Sequence, residues 1–222
     1  MIPVLNERSR LEIALGPTVR PGVERIVVDG GSEDGGAEAA RSLGVERLLV
    51  SQPGRARQLE TGFRAAEGEV VLFLHADTRL DPGWDSELRR ALVDPEVAGG
   101  VFDLRFDSDR SVYRWIERGV RLRSRVLRLP YGDQGIFVRR KLLDAIGGIP
   151  ETPMFEDLDL VRAIRRAGRF VFLRTGAWTS PRRYERNGVV RTIARNGLAL
   201  GAYLIGLDRE RVARWYRRRP DR

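Results

Sequence analysis

The chain has 222 residues and a formal net charge of +9, with no cysteine and a single histidine, His75. Hydrophobic residues make up 42% and charged residues 32%, a mix that excludes collagen-like, mucin-like and wholly disordered chains. The absence of cysteine excludes disulfides, thiolate metal sites and cysteine nucleophiles, and one histidine excludes sites built on several. We predict a single domain in a reducing, cytoplasmic setting.

The positive charge favours an anionic partner such as nucleic acid, anionic lipid or a phosphorylated small molecule. Lys141 is the only lysine, and the planar guanidinium of arginine suits phosphate. A coding bias towards arginine explains the composition equally well. The first ten residues lack the regions of a signal peptide, and the longest apolar stretch, near residues 198–207, is too short to span a bilayer.

In the first half, short apolar runs alternate with helical patterns. The strand candidates are rich in Val, Leu and Ile and end at polar or glycine-containing turns. This alternation predicts an α/β fold with βαβ units, a mainly parallel sheet and helices on both of its faces. The predicted strands are Ile2–Leu5, Arg25–Val28, Arg47–Val50 and Val70–Leu74, and the predicted helices are Glu7–Leu15, Asp34–Leu43 and Arg57–Ala66.

The second half differs, and it predicts further strands that complete one continuous mixed sheet. We divide the single domain into residues 1–98, residues 99–185 and a helical tail over 187–222, broken near Gly206. The predicted strands here are Gly99–Phe106, Gln134–Val138 and Arg169–Leu173, and the predicted helices are Ser111–Leu129, Lys141–Gly148 and Glu156–Gly168.

Polar residues follow the first two predicted strands, at the edge where open α/β sheets bind ligands. Asn6 and Glu7 follow the first strand, where Asn6 could equally cap the next helix. Asp29 ends the second strand and precedes a glycine-rich turn. It could accept a hydrogen bond from a nucleobase or ribose, or simply belong to a well-capped turn.

Two later motifs carry candidate phosphate and metal groups. Arg55 follows a Pro-Gly turn at a helix start, which indicates either a phosphate site or a solvated basic turn. His75 and Asp77 follow the fourth strand, on the same side of the chain and about 6.6 Å apart. A divalent cation could lie between them and a diphosphate. For His75 alone, a hydrogen-bonded, half-buried imidazole is the favoured interpretation.

Glu156 and Asp157 begin a predicted helix. Acidic residues in the first turn complement the helix dipole, which is a sufficient structural reason for them. A carboxylate there could also act as a general base.

The order and spacing of five motifs are the strongest signal in the sequence. The motifs are PVLNE, VVDGGSEDG, an arginine-bearing turn, FLHADT and FEDLDLVRAIRRAG. They resemble the inverting nucleotide-sugar glycosyltransferases of family 2, which have the GT-A fold with C-terminal helices. The resemblance covers Ile2 to about Gly168. PGRARQ, FLHADT, GDQG and the Glu-Asp pair further resemble a bacterial subgroup with members linked to arsenosugar biosynthesis.

The resemblance implies a nucleotide-sugar donor, with uridine the favoured base, and a divalent metal, Mg²⁺ or Mn²⁺. Residues 1–98 would bind the nucleotide and residues 99–185 the acceptor. His75 and Asp77 are the candidate metal ligands, and Arg55 would lie near the donor nucleotide. The nucleoside pocket would be formed by Pro3, Asn6, Glu7, Asp29, Gly30, Gly31 and Ser32.

On the catalytic side, the resemblance implies that Asp157 is the general base, with Glu156 beside it near the acceptor. Asp133 and Gln134 would contact the sugar. The residues expected near the diphosphate are Arg182, Arg183 and Tyr184.

Two features depart from the family pattern. The acidic triplet of the family begins here with His75, so Asp77 is the firmer metal ligand. Only Met1 and Ile2 precede Pro3, where relatives have a longer first strand.

These motifs favour a hexosyltransferase-type enzyme that transfers a sugar to a small or lipid-linked acceptor. The alternatives are a nucleic-acid-binding module, a nucleotide-sugar-binding protein without catalysis, and a nucleotidyltransferase. The scattered basic residues match no known nucleic-acid recognition motif. The sequence after the first strand also lacks the Gly-rich phosphate loop of nucleotidyltransferases.

The tail combines an apolar segment, Leu198–Leu207, with flanking arginines and with Trp215 and Tyr216. One interpretation is an amphipathic hairpin that binds the inner membrane face peripherally. The other is a helix that covers the sheet or forms a homodimer contact. The second is favoured because Gly197, Gly201 and Gly206 suit close packing.

Overall fold

Residues 1–217, described by a computed structural model, form eight strands and ten α-helices. The strands are β1 (Ile2–Val4), β2 (Ile26–Asp29), β3 (Arg47–Val50), β4 (Val70–Phe73), β5 (Thr78–Leu80), β6 (Val97–Phe106), β7 (Ile136–Arg139) and β8 (Arg169–Thr179). The helices are α1 (Leu11–Leu15), α2 (Gly36–Ser42), α3 (Arg55–Ala65), α4 (Trp84–Leu92), α5 (Ser111–Leu122), α6 (Arg140–Ala145), α7 (Glu156–Ala167), α8 (Arg182–Asn187), α9 (Val189–Leu204) and α10 (Arg209–Arg217).

The first sheet is wholly parallel, in the order β1-β2-β3, as the βαβ pattern predicts. The second is mixed, in the order β4-β7-β6-β8-β5. Its β6–β8 pair is parallel, and its other pairs are antiparallel. Parallel pairing therefore dominates only the first half of the chain.

Met1 joins the two sheets. Its terminal ammonium donates to the Leu72 carbonyl at 2.9 Å, and its carbonyl accepts from the Leu74 N–H at 3.0 Å. Through these bonds the start of β1 lies beside β4, so the carboxyl ends of β1, β2 and β4 share one edge. Burial lowers the pKa of the terminal ammonium to about 5.

Helices cover both faces of the sheets, as predicted. Successive strand residues point to opposite faces. Val27 packs in one core cluster with side chains of α1, α2 and α4, while its neighbours Ile26 and Val28 pack in another with α3, α6 and α7. The two clusters therefore lie on opposite sides of the sheet.

Sequence patterns found most elements but missed three of them. β5 is only three residues long, and α4 and α8 follow turns without a long apolar period. The predicted helix over Glu7–Leu15 begins as a 3₁₀ turn, and the predicted helix over Ser111–Leu129 gives way after Leu122 to a π turn over Arg123–Leu127.

The tail is helical with a break near Gly206, as predicted, but its glycines are not packing sites within the chain. A Cβ added at Gly197, Gly201 or Gly206 would meet no atom of residues 1–217 within 4 Å. The reason for favouring close packing there is therefore wrong for contacts within these residues. No helix within residues 1–217 combines the length and the apolar character that crossing a membrane requires.

Candidate active site

The predicted site residues gather along one edge of the sheets. Asn6 and the turn after Asp29 follow β1 and β2, and Arg55 begins the helix after β3. His75 and Asp77 follow β4, and the Glu156-Asp157 pair begins α7. Their common position agrees with the rule that open α/β sheets bind ligands beyond the carboxyl ends of strands.

On the side predicted to bind the nucleoside, the polar groups form hydrogen bonds with one another. The Ser32 hydroxyl donates to Asp29 Oδ1 at 2.5 Å and accepts from the Asn6 N–H at 2.9 Å. Asn6 Oδ1 accepts from the Glu33 N–H at 2.9 Å. Asn6 has φ of 56°, which asparagine tolerates better than most residues. These bonds fix the ends of β1 and β2 relative to each other.

Gln58 braces the same turn and was not identified from the sequence. It is buried on α3, and its Nε2 donates to the Val4 carbonyl at 2.8 Å and to the Val28 carbonyl at 2.9 Å. A Cβ at Gly30 would lie 3.1 Å from this amide, so a larger residue there would have to displace Gln58. No sequence motif marks Gln58, because its role depends on the distance between two strands.

Asp77 lies in an ionic cluster with Arg182 and Glu7. Arg182 Nη2 lies 3.4 Å from Asp77 Oδ2, and Arg182 Nη1 donates to Glu7 Oε2 at 2.8 Å. Burial raises the pKa of Asp77, an effect that Arg182 opposes. A cavity of about 220 Å³ borders the cluster, and its lining includes Arg10, Arg79 and Trp178.

The donor set fits a divalent cation only in part. Within residues 1–217, His, Asp and Glu side chains form no group of three that could hold a metal ion by themselves. Asp77 offers one carboxylate, and Mg²⁺ characteristically takes one or two carboxylates together with phosphate and water oxygens. Asp77 thus suits a cation that arrives with a diphosphate.

On the side predicted to be catalytic, Arg55 and Glu156 form a partly buried ion pair. Arg55 Nε lies 2.8 Å from Glu156 Oε1, and Glu156 is 8% exposed. Burial raises the pKa of Glu156, and the Arg55 charge opposes that rise. The ion pair holds Arg55 at the start of α7.

Asp157, His75 and Arg55 converge on Gly132. The Gly132 N–H donates to Asp157 Oδ2 at 2.7 Å. A Cβ at Gly132 would lie 3.3 Å from Asp157 Oδ2, 3.3 Å from His75 Nε2 and 2.5 Å from Arg55 Nη2. A carboxylate, an imidazole and a guanidinium thus surround the point where a Cβ of residue 132 would lie.

His75 is half-buried, in line with the favoured interpretation of a half-buried, hydrogen-bonded imidazole, but its Nε2 does not supply such a hydrogen bond. Within the described part of the chain, this buried nitrogen has no hydrogen-bond partner. Burial lowers the pKa of His75 well below its usual value, and the Arg55 charge adds to the effect. The ring is therefore neutral, and Arg55 beside it opposes a second cation at that nitrogen.

Asp133 and Arg123 bring more unpaired polar atoms to the same side. Asp133 Oδ1 and the Nε and Nη2 of Arg123 are buried and lack partners among residues 1–217. Burial raises the pKa of Asp133 to about 6, and Arg123 opposes this most strongly among nearby charges. Arg123 stacks 3.8 Å from the Tyr131 ring centroid. The sequence analysis missed Arg123, which is one arginine among many in a basic helix.

Three other predicted residues bind within the protein. The Gln134 Oε1 accepts from Ser124 at 2.8 Å, and its Nε2 donates to the Phe102 carbonyl at 3.2 Å. Arg183 stacks 5.0 Å from the Tyr216 ring. The Tyr184 ring packs edge-on to Phe106 at 5.3 Å. These contacts shape the loops around the site.

The tail holds the start of α7 in place. Phe155, just before the helix, has φ of 69°, a strained value for a bulky residue. Its ring packs 4.9 Å from that of Tyr203 on α9. The Tyr203 hydroxyl donates to Asp159 at 2.8 Å, and Arg209 forms an ion pair with the same carboxylate. The tail therefore fixes the turn that presents Asp157.

A larger cavity of about 510 Å³ lies elsewhere and contains none of the predicted site residues. Its lining is largely apolar and includes Leu15, Val70, Leu72, Trp84 and Leu88. Among the described residues, its lining includes none of the buried unpaired polar atoms found at the carboxyl edge, so that edge is the candidate active site.

Solved structures share this architecture. Mycobacterium tuberculosis glucosyl-3-phosphoglycerate synthase with Mn²⁺ and UDP-glucose matches 93% of this chain and 78% of its own, at 20% identity and a TM-score of 0.62. S. aureus TarS 1-349 with UDP-GlcNAc matches 81% of this chain and 57% of its own, at 21% identity and a TM-score of 0.60. The Pyrobaculum calidifontis mannosyltransferase PcManGT with GDP-Man and Mn²⁺ matches 80% of this chain and 55% of its own, at 19% identity and a TM-score of 0.58. The fold is GT-A α/β.

Sequence comparison gives the family. An uncharacterized protein of Mycobacterium tuberculosis (strain CDC 1551 / Oshkosh), MT1568, is 34% identical over 141 residues. That match covers 60% of this chain and 44% of the relative, so the chain spans less than half of its length. Residues 1–148 match the family described as Glycosyl transferase family 2. This match extends over well more than half of the chain, which therefore belongs to glycosyl transferase family 2.

Proposed function

We propose that the chain is an inverting glycosyltransferase that moves a sugar from a nucleotide diphosphate to an acceptor hydroxyl. The observation that carries this proposal is the convergence of Asp157, His75 and Arg55 on Gly132. It supports the proposal because a carboxylate lies beside buried polar atoms at the edge where open α/β sheets bind ligands. Family membership supports the same reaction class.

In the proposed reaction, Asp157 accepts the proton of the acceptor hydroxyl. The acceptor oxygen forms a bond to the anomeric carbon, and the bond from that carbon to the diphosphate oxygen breaks. The electron pair leaves with the nucleoside diphosphate, and the configuration inverts. The Gly132 N–H holds Asp157 Oδ2 at 2.7 Å, which orients the carboxylate. General bases contribute typically about 10² to 10⁴-fold.

The diphosphate would lie between Arg55 and Arg182. Both guanidiniums are paired with carboxylates, Arg55 with Glu156 and Arg182 with Glu7 and Asp77. Phosphate oxygens would compete for these donors, since charge-assisted hydrogen bonds to phosphate are among the strongest. A divalent cation held by Asp77 and the donor would supply further positive charge to the leaving group.

The nucleoside would lie over Pro3, Asn6, Glu7 and the Asp29 turn. The fixed network there offers a rigid wall with half-buried edges. Uridine is the proposed base, in line with the UDP-sugars bound by TarS and by the synthase, while PcManGT binds GDP-Man. The donor half is residues 1–98, and the acceptor half is residues 99–185.

The sugar would contact Asp133, whose Oδ1 is buried without a partner in the described chain. A carboxylate oxygen accepts a sugar hydroxyl well. Gln134 would act by holding this loop, because both ends of its amide are engaged. Transfer of a hexose, a cytoplasmic location and membership of the arsenosugar-linked subgroup stay predictions.

Nuclear magnetic resonance of the donor's anomeric proton tests the proposal. We expect Mn²⁺-dependent loss of the donor signal, with UDP-glucose or UDP-GlcNAc favoured over GDP and dTDP sugars. Water serves as the acceptor when none is known, and the first sugar released should have the inverted configuration. Retained configuration would refute the inverting reaction.

Donor binding without any turnover, in either the presence or the absence of candidate acceptors, would favour the alternative of a sugar-nucleotide-binding protein without catalysis. A matched control is Asp144→Asn, on the exposed side of α6, where the carboxylate is 53% exposed. This variant should retain wild-type turnover.

A further inference from the structure

Helix α9 presents its apolar residues outwards. Helices on a protein surface normally bury such a stripe against the core. Here the buried residues of α9 are Thr192, Ala199 and Tyr203. The outward side chains are highly exposed instead, and include Val190 at 81%, Leu198 at 65% and, just after the helix, Ile205 at 75%.

A second exposed apolar strip runs from Trp115 in α5 into the π turn that follows. Trp115 is 69% exposed, Leu122 65%, Val126 65% and Leu127 59%. Exposed single apolar residues are ordinary, whereas a run of large ones marks an interaction surface.

The segments that carry the two strips meet on their buried sides in one small core cluster. Leu129, just beyond the π turn, packs with Tyr203 of α9 and with Leu158 of α7. We call the two strips together the apolar–basic surface, formed by the exposed residues of 115–128 and 190–207.

The charge on this surface has one sign. Residues 118–132 and residues 186–207 contain arginines but no aspartate or glutamate. Arg118, Arg125 and Arg128 are exposed among the apolar side chains. Arg118 stacks 4.8 Å from the Trp115 ring, an arrangement that suits the boundary between lipid headgroups and acyl chains.

We infer that this surface binds an anionic lipid bilayer. Exposed Leu, Val and Trp side chains would enter the headgroup boundary while the arginines meet acidic headgroups. A second copy of the chain fits less well, because a two-fold contact would bring like-charged arginine strips against each other. The outward Gly197 and Gly201 would suit such a contact, so the test must separate the two.

The inference stands apart from the proposed activity, since neither donor nor acceptor takes part in it. It does bear on the acceptor if the proposed function holds. Arg123 of the π turn stacks on Tyr131, next to Gly132 of the site. A bilayer on this surface would therefore lie close to the acceptor side, which favours a lipid-linked acceptor over a freely diffusing one.

Flotation of the full chain with lipid vesicles tests the inference. We expect co-flotation with phosphatidylcholine vesicles that contain phosphatidylglycerol, little with phosphatidylcholine alone, and loss at high salt. Each arginine at an acidic surface contributes about 1 kcal/mol to binding. This changes the partition coefficient about fivefold, because 1.4 kcal/mol corresponds to a factor of ten. Replacing Arg118, Arg125 and Arg128 together by Gln should weaken binding roughly 100-fold.

Matched variants show whether vesicle binding depends on the position of the arginines or only on the net charge of the chain. Arg20, Arg41 and Arg64 are exposed elsewhere on the chain, and their joint replacement by Gln should leave most of the binding. Val126→Ser should weaken binding, while Val93→Ser, at a position that is 81% exposed on α4's end, should not.

Absence of co-flotation at low salt would overturn the inference, as would equal losses for both arginine triples. Analytical ultracentrifugation supplies the other decisive outcome. A concentration-dependent dimer that Val126→Ser or Leu198→Ser disrupts would assign the surface to a second copy instead. Thermal unfolding of each variant confirms that the fold is intact.

Discussion

The proposed nucleoside side and the proposed catalytic side of the candidate site share one sheet edge, but their polar groups are paired to different extents. Around Asp29, hydrogen bonds within the chain occupy Ser32, Asn6 and Gln58. Around Gly132, buried atoms of His75, Arg123 and Asp133 have no partner in the described chain. Buried polar groups without partners are costly. The contrast indicates that the first side is built as a rigid wall and the second is built to be completed by a ligand.

The largest expected effect on donor binding concerns Asp77. Asp77→Ala should lower donor affinity in the presence of Mn²⁺ roughly 100-fold, or about 2.8 kcal/mol, because the cation would lose its carboxylate ligand from the protein. Calorimetric titration of donor with and without Mn²⁺ measures it. Asp107→Ala is the control, since Asp107 borders the same cavity but pairs with Arg79 at 3.4 Å. Unchanged metal dependence in Asp77→Ala would place the cation elsewhere.

Gly132→Ala probes the point of convergence directly. Its Cβ would lie 2.5 Å from Arg55 Nη2, the far end of a flexible side chain. Folding should therefore survive while Arg55 is displaced. We expect a fall of about 10 to 100-fold in kcat/KM, since a hydrogen bond to a charged group is worth about 1.5–3 kcal/mol. Gly197→Ala should leave kcat/KM unchanged, because a Cβ there meets nothing within 4 Å among the described residues. Equal activity of the two variants would contradict the convergence of side chains on Gly132.

The raised pKa of Asp133 predicts a pH effect with a definite sign. Its pKa is about 6 in the fold against 3.8 normally, so the folded state binds the extra proton between these values. The free energy of unfolding should fall by up to about 3 kcal/mol as pH rises from about 4 to 6, and it should then level off. Asp133→Asn should flatten this slope and stabilise the protein at pH 7.5.

Thermal unfolding across that pH range, with and without Asp133→Asn, measures the difference. Glu156 and Asp77 also have pKa values raised by burial, so only the difference between the two proteins reports on Asp133. Identical pH slopes would show that Asp133 is not buried as an unpaired acid.

The smallest effect is expected for the hydrogen bond from Tyr203 of the tail to Asp159 of α7. Tyr203→Phe removes the hydroxyl that donates to Asp159 at 2.8 Å but keeps the ring against Phe155. We expect about 1 kcal/mol of lost stability and a small fall in kcat. A variant with unchanged stability and unchanged activity would show that the tail does not support the start of α7.

Sequence reasoning found the elements with strong periodicity and the motifs at strand ends. Alternation of Val-rich runs and helices predicts βαβ units, and the positions of Asn6, Asp29, Asp77 and Asp157 at strand and helix ends follow from that. It could not find contacts set by distance between elements, such as Gln58 bridging β1 and β2.

The sequence predicted the proposed catalytic side less completely, because the roles of Arg123 and Tyr203 depend on tertiary contacts. Arg123 stands out only because the π turn buries its nitrogens, and the tail braces α7 through Tyr203 from a distance of 44 positions in the chain. Neither effect has a local pattern. The glycines of α9 misled because small residues signal close packing without saying with what.

The most direct test of the central claim is Asp157→Asn, measured for both donor binding and turnover. Asn fills the same space and still accepts the Gly132 N–H at its amide oxygen, but it cannot take a proton. We predict nearly wild-type donor affinity with turnover reduced by about 10² to 10⁴-fold, while Asp144→Asn remains active. Turnover that survives Asp157→Asn would contradict the assignment of the base and with it the account of this side of the site.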